Sequence, residues 1–425
     1  MKENKKYGRK VSAAALILLL VTALLLLCSA CSEETAGSSG SGGSTDAAEK
    51  ESGAGVNPGV RWSDMEPSGS MELLYAEEFS VDYYENGCRL VEIAEDGGRF
   101  LVVPEGTEVP SGLDDDIAVI EGAADHIYLS ASAVMDHFCR LGAVDAIKLT
   151  STKEEDWYID EAKTAMKDGR IQYAGKYNTP DYELILDTGC RLAIESTMIF
   201  HAPEVREQLE ERGIPVLVDR SSYENHPLGR SEWIKLYGVL TGREAEADAV
   251  FQEQADKLEE VTAAVDESRT DSNAEQNDGN AAQDSGNTVA FFYITSSGSV
   301  NIRKADDYVS KMIELAGGTY VFEDLADDGT ATSTETIQME DFYAAAKDAD
   351  YLIYNSTIDG ELDNLDELLA KSSLLKNFAA VRSGKVYCTG KNMYQETVET
   401  GTMISDIYHM LNGDEDGMHF LYRLK

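Results

Sequence analysis

Between Glu244 and Val265 the apolar residues Ala247, Val250, Phe251, Leu258, Val261 and Val265 recur at steps of three and four, with Gln254 on the same stripe. That spacing predicts an α-helix. At about 1.5 Å per residue the helix is roughly 33 Å long, enough to span two lobes. Helical pattern starts upstream, where Trp233, Leu236, Tyr237 and Leu240 share one face and Thr241-Gly242 interrupts it. A chain of 425 residues is too long for one core and suits two lobes.

On both sides of this rod, short apolar runs alternate with helical stretches. Before it come the strand signals Ile127–Leu129, Ile147–Leu149, Ile171–Ala174, Leu192–Ile194 and Val216–Val218. Helical patterns at Ala131–Leu141, Ile159–Lys167, Tyr182–Asp187 and Pro203–Arg212 separate them. After it, Val289–Ile294, Tyr351–Tyr354 and Lys385–Tyr387 read as strands. Ala305–Ala316, Phe342–Lys347, Leu362–Leu369 and Thr400–Leu411 read as helices. Such alternation predicts βαβ units: an α/β fold of two Rossmann-like lobes with parallel-type sheets, joined by the long helix. Glu72–Val103 adds strands, with Leu90–Ile93 and Phe100–Val103 flanking the turn Glu95-Asp96-Gly97-Gly98.

The N-terminus reads as a leader. Lys2, Lys5, Lys6, Arg9 and Lys10 precede the apolar run Val11–Leu27, and Ser29-Ala30-Cys31 resembles a bacterial lipobox whose Cys becomes the lipidated first residue. The other reading of the apolar run is a membrane-spanning anchor. Ser32–Gly59 is Ser-, Gly- and acid-rich, which predicts a flexible tether. Asp266–Asn287 has a similar composition and reads as a disordered surface insertion. The predicted organisation is a signal peptide at 1–30, a tether at 31–71, an N-terminal lobe at 72–229, linking helices at 230–266, an acidic insertion at 267–288 and a C-terminal lobe at 289–425.

Net charge is −42, which argues against nucleic acid as a partner and disfavours an anionic lipid surface. Cys88, Cys139, Cys190 and Cys388 fit no zinc or redox spacing, and export would permit disulfides without saying which. The His residues 126, 137, 201, 226, 409 and 419 form no pair at helical ligand spacing, so no metal site is expected. There is no Gly-x-Ser-x-Gly elbow, no His-Glu-x-x-His and no Cys/His constellation, so the chain is not expected to be an enzyme.

In open parallel sheets, ligands sit beyond the carboxyl ends of the strands. Ser130, Ser132, Ser196, Thr197, Arg220, Tyr223 and Tyr394 are ligand-binding candidates on that ground. Trp157 and Tyr158 either bury as edge aromatics or form a stacking wall. Arg220, Arg230, Arg303 and Lys304 either form surface ion pairs or meet carboxylates or catecholates of an anionic iron chelate.

The segments Tyr173–Tyr177 with Pro180–Glu183, His226–Arg230 with Glu232-Trp233, Leu240–Ala247, Ala316–Gly318 and Val386-Tyr387 occur in a telling order. With the lipobox, they make the chain resemble, over about residues 72–425, a substrate-binding lipoprotein of an ABC importer. The class it resembles is the iron-siderophore and vitamin B12 (Fe/B12 periplasmic-binding, class III) one. The resemblance implies a monomer, anchored by its N-terminal lipid outside the cell membrane. It would capture a small molecule between two lobes and deliver it to ABC permease subunits. A ferric siderophore is the favoured ligand, with haem, a corrinoid or a bare metal ion as alternatives, and no tightly bound cofactor. In that class one Glu of each lobe meets an Arg of the permease, a role that falls to Glu183 and Glu340. The rigid helix implies a small closing motion.

Overall fold

The computed structural model describes residues 60–275, 287–324 and 333–425. The leader, Cys31 and the tether up to residue 59 lie outside these. Among the described residues no helix is long and apolar enough to cross a membrane.

The first lobe is built on β6 (Ile127–Leu129), β7 (Ile147–Thr150), β8 (Gln172–Tyr173), β11 (Leu192–Ser196) and β12 (Val216–Asp219). They run parallel in the order β12-β11-β6-β7-β8. A small antiparallel pair, β9 (Gly175–Lys176) and β10 (Thr179–Pro180), lies outside this sheet. Apart from the edge strand β8, the strands are buried on both faces: Ile127, Leu129 and Ile194 enter one core, Tyr128, Ala193 and Val218 another. Full burial explains their unbroken apolar runs. The intervening helices are α1 (Met135–Arg140), α2 (Asp160–Lys167), α3 (Tyr182–Asp187) and α4 (Pro203–Glu210).

Helix α5 (Pro227–Glu232) and α6 (Ile234–Thr241) lead to the rod. Gly242, at φ +69, ends α6 in a left-handed cap that a side chain would strain. Helix α7 (Glu244–Glu275) then runs 32 residues. Its Ala247 and Phe251 lie in the first-lobe core, while Leu258, Val261 and Val265 lie in the second. The stretch to Glu275, read from the sequence as insertion, continues this helix. Acidic, Ser-rich composition lowers helix propensity, but helix growth on an existing nucleus overrides it. The rest of the insertion, 276–286, lies outside the described residues.

The second lobe has a seven-stranded sheet of β13 (Thr288–Ile294), β14 (Val300–Arg303), β15 (Thr319–Tyr320), β16 (Thr334–Ile337), β17 (Tyr351–Tyr354), β18 (Val386–Thr389) and β19 (Leu421–Arg423). β13, β17 and β18 are parallel, and β14, β16 and β19 join antiparallel. The hairpin β13–β14 was not foreseen. Its turn, with Gly298 at φ +84, is the Ser-Ser-Gly-Ser signal between apolar runs. Around the sheet pack α8 (Tyr308–Leu315), α9 (Met339–Ala346), α10 (Leu365–Lys371), α11 (Ala379–Ser383) and α12 (Thr400–Asn412).

Ahead of both lobes stands a five-stranded sheet in chain order: β1 (Gly69–Ser70), β2 (Phe79–Tyr83), β3 (Arg89–Ile93), β4 (Gly98–Val103) and β5 (Ile117–Glu121). Phe79, Val81, Val91 and Ile93 face the first-lobe core, and Leu90, Leu101 and Val103 face a smaller core of their own. Residues 60–71 were assigned to the tether, which the structure corrects. Ser68 donates its N–H to the Tyr83 carbonyl at 2.7 Å, β1 pairs with β2, and Trp62 and Met65 pack on the smaller core.

A buried carboxylate holds this sheet to the first lobe. Glu232, wholly buried, accepts the N–H groups of Leu74, Tyr75 and Ala76 at 2.7–3.0 Å and pairs with Lys235 at 2.9 Å. Next to it Glu224 accepts the N–H groups of Glu77 and Glu78 and the Trp233 indole N–H at 2.6 Å.

Candidate functional site

The two sheets face each other by their carboxyl edges. Residues just past β6 and β7 touch residues just past β18. The Tyr158 N–H donates to the Gln395 side chain at 2.7 Å, and Gln395 donates to the Asp156 carbonyl at 2.8 Å. Thr397 donates its hydroxyl to the Ala133 carbonyl at 2.8 Å, and the Val398 N–H reaches Asp136 at 3.0 Å. Burial pushes the Asp136 carboxyl up to about 7. On the other flank, Lys311 of α8 donates to the Asn225 carbonyl at 2.7 Å. Between these ties lies the cleft, where Arg230, Tyr308, Met393, Glu396 and Thr397 line a narrow cavity between the lobes.

On the second-lobe side, Arg303 gathers the sequence candidates. Its guanidinium bonds the Tyr394 hydroxyl and lies 3.4 Å from Asp307. Tyr394 also receives the Asn355 amide at 3.3 Å. Nearby charge and phenol oxygens hold Arg303 firmly cationic despite burial. Arg230, at the end of α5, stands 4.0 Å over the Tyr308 ring and bridges the lobes by a cation–π contact. Lys304 is buried, and its carbonyl accepts the Ser310 hydroxyl at 2.8 Å. Neither Asp307 nor Tyr308 was singled out in sequence. Their signal was only proximity to Arg303.

On the first-lobe side the polar groups are less settled. Ser130, Tyr128 and Glu195 lie on one face of β6 and β11, and the Ser130 hydroxyl, though close to the Tyr128 and Glu195 oxygens, makes no well-formed hydrogen bond to either. Glu195 is wholly buried, and burial raises its carboxyl to about 8, only partly offset by the Ser130 hydroxyl. Ser132 and Thr197 are half-buried, and the Ser196 hydroxyl caps the following turn through the Met198 N–H. Trp157 is wholly buried in the first-lobe core, so its ring builds no wall for a ligand: the edge-aromatic alternative holds. Tyr158, half-buried, stands between Lys163 and Lys391, whose ammonium groups are 5.6 and 5.3 Å from its ring. Arg220 gives its guanidinium to Glu78 at 2.6 Å and covers Tyr223 at 4.7 Å. Its charge therefore serves the N-terminal sheet, a distant acid that no local pattern reveals.

Sequence reasoning also passed over apolar groups at these edges. Met198, Phe200 and Ile358 are 47%, 40% and 63% exposed, and Tyr223 is 47% exposed. Among the described residues Cys88, Cys139, Cys190 and Cys388 are free thiols. No group of three or more His, Cys, Asp or Glu there could hold a metal ion.

Glu183 and Glu340 occupy matching places. Each is exposed in the first turn of a helix, α3 or α9, that leads into a strand (β11 or β17) next to its lobe's first strand.

Two α/β lobes meeting edge to edge across a cleft, and skewered by one helix, define a bilobal binding protein. A family model described as a periplasmic binding protein matches residues 131–393, and the chain belongs to that family, in its Fe/B12 class. An uncharacterised lipoprotein of Methanocaldococcus jannaschii is 25% identical over 370 residues, covering 80% of this chain and 81% of its own. A periplasmic binding protein from Veillonella parvula superposes with a TM-score of 0.53 at 17% identity, over 72% of this chain and 97% of that one. The periplasmic haem-binding protein HutB of Vibrio cholerae gives 0.51 at 16%, over 67% and 99%. An Fe3+-hydroxamate transport protein of Saccharomonospora viridis gives 0.50 at 19%, over 69% and 95%. At these identities the likeness is one of fold.

Proposed function

We propose that the protein captures a ferric siderophore-type complex in the cleft and hands it to the permease of an ABC importer. The observation that carries this reading is the pair of guanidiniums, Arg303 and Arg230, held among aromatic rings where the lobes meet, in a chain of net charge −42. Cations kept there against so large an opposite charge suit an anionic chelate. That an Fe3+-hydroxamate transport protein and a haem-binding protein share this fold supports an iron-bearing ligand. Haem or cobalamin is the second reading within the same class. No tightly bound cofactor is part of the proposal.

Ser130, Ser132, Ser196, Thr197, Tyr158, Tyr223 and Lys304 border the same edges and would supply polar contacts. Glu183 and Glu340 would dock on permease arginines, fixing register through two separated carboxylates. Lipid on Cys31 would hold the protein at the outer face of the membrane, as the lipoprotein name of the methanogen relative supports. Cys31→Ala is expected to move the protein from the membrane to the soluble fraction. Quenching of intrinsic fluorescence by ferric hydroxamates, ferric catecholates, haem and cobalamin tests the ligand. An iron chelate is expected to bind below about 1 μM, or about −8 kcal/mol. Absence of any such binding defeats the iron reading.

A further inference from the structure

The sheet β1–β5 precedes the stretch that the family model matches, and its last strand has one side bare. β5 stands at the end of the strand order, paired with β4 alone. Gly122 donates its N–H to the Val103 carbonyl at 2.8 Å. Backbone groups alternate along a strand, so Ala118 and Ile120 also face β4, while Val119 and Glu121 turn N–H and C=O away from it. Neither residue has a hydrogen-bond partner on that side among the described residues. β12 ends the first-lobe sheet in the same way. Ala193 donates to the Pro215 carbonyl at 2.9 Å, which turns Val216 and Val218 outward. Val218 donates to the Gly97 carbonyl at 3.1 Å, and the Val216 N–H is left without a partner. A cavity of about 570 Å³ lies between these two edges, and Val119, Val216, Asp115, Asp116, Arg206 and Glu210 are in its lining.

We propose that this cavity takes an extended, cationic peptide segment of a partner protein, added to β5 as a sixth strand. Main-chain groups left bare cost free energy until they are paired, and the backbone of another strand pairs a row of them at the spacing of a sheet. Open edges are commonly blunted with Lys or Pro. β5 runs Ile-Ala-Val-Ile to its closing Glu121 and has neither. The charges set the sequence of the added strand. Arg99 is held by Glu92, Asp114 and Asp116 at 2.7–3.4 Å, and Arg206 by Glu210 at 2.8 Å. Both cations are therefore spent within the protein. Asp114, Asp115 and Asp116 stand exposed at the start of β5, and Asp115 has no ion-pair partner among the described residues. Lys or Arg at alternate positions of an incoming strand would meet this acidic rim, whereas an acidic strand would be repelled. The site is separate from the cleft and does not depend on what the cleft binds.

The probe is the peptide acetyl-Lys-Val-Lys-Val-Lys-Val-Lys-amide, titrated into the full chain by calorimetry. It is expected to bind at least about tenfold tighter than the same peptide N-methylated at every residue, the factor set by one or two main-chain hydrogen bonds. Methylation keeps the side chains and the charge and removes only the donors. The counterpart with Glu in place of each Lys is expected to bind at least about tenfold more weakly as well. On binding, amide hydrogen exchange at Val119 and Glu121 is expected to slow, with the second lobe unaffected. In the variant Asp115→Lys/Asp116→Lys, changed only at exposed positions, the ratio between the lysine and glutamate peptides is expected to fall to about one. Equal binding of the methylated and unmethylated probes would mean attraction by net charge alone and overturns the added strand, as does protection confined to other segments. A charge preference that survives the double substitution, or no binding of the lysine probe, also overturns the proposal. Each of these results leaves the cleft and its iron-chelate reading standing.

Discussion

Glu232 and Glu195 are both wholly buried in the first lobe, and they live in opposite surroundings. Glu232 is saturated by three backbone N–H groups and an ammonium. Glu195 makes no well-formed hydrogen bond among the described residues, and the nearby Ser130 hydroxyl, which also lies close to Tyr128, eases its burial only in part. The first carboxyl fastens a module that the family match at 131–393 does not include. The second lies at the end of β11, where only the Ser130 hydroxyl eases its burial and no backbone N–H or ammonium reaches it. Burial alone therefore says little about what an acid does; its donors decide whether it is mortar or an unfilled socket.

That contrast breaks most visibly at Glu232. Glu232→Ala leaves Lys235 buried without its partner and three N–H groups unsatisfied, so a loss of about 3–5 kcal/mol is expected in urea unfolding. An unchanged midpoint would show that the N-terminal sheet holds by apolar contact alone. Glu195→Gln should act in the opposite direction. Burial raises the Glu195 carboxyl from its ordinary 4.5 to about 8, so the folded state binds the extra proton between those values. Stability from this group is full below about pH 4.5 and is lost as pH rises through 8. The glutamine variant should therefore gain on the natural protein from pH 5 to 8, by on the order of 3 kcal/mol, and then level off. A pH-independent difference would mean the carboxyl finds partners in solution.

A smaller effect sharpens the comparison with the second lobe, where the polar groups satisfy one another. Tyr394→Phe removes the hydroxyl shared by Arg303 and Asn355. About 1 kcal/mol of stability should go, with a larger proportional loss in chelate affinity seen by fluorescence titration. Smallest in stability are Glu183→Arg and Glu340→Arg. Both sites are exposed, so thermal melts should move by less than about 0.5 kcal/mol, while uptake by cells carrying the importer should drop sharply. Normal uptake would remove the docking role from these residues.

How far the sequence reveals these regions follows from the range of the interactions. Helix α3 has the predicted bounds Tyr182–Asp187, because an Asp cap and a short apolar stripe are local signals. Parallel strands such as β11 and β17 are legible as short apolar runs between helices. β14, β16 and β19 are not, since short antiparallel strands with mixed faces resemble loops. At the site, Arg303 and Tyr394 were visible as candidates, but their contact spans 91 positions. The backbone donors to Glu232 lie 156 to 158 positions away. Trp157 shows the other limit: an aromatic after a charged loop reads alike whether it faces ligand or core.

Helix α7 has one further bearing on how the molecule moves. Gln254 sits on its buried stripe between Phe251 of one core and Leu258 of the other. Its side-chain oxygen accepts the Thr402 N–H at 3.1 Å, and its amide donates to Glu399 at 3.1 Å. A beam seated in one core through Ala247 and Phe251 and in the other through Leu258, Val261 and Val265, with a polar pin between the seats, is expected to resist sliding along its axis or rolling. Slight flexure and torsion are the motions then expected, so the jaws of the cleft should keep near one spacing whether empty or full. The machine that receives the cargo would then have to tell a loaded carrier from an empty one by surface detail, not by a change of silhouette.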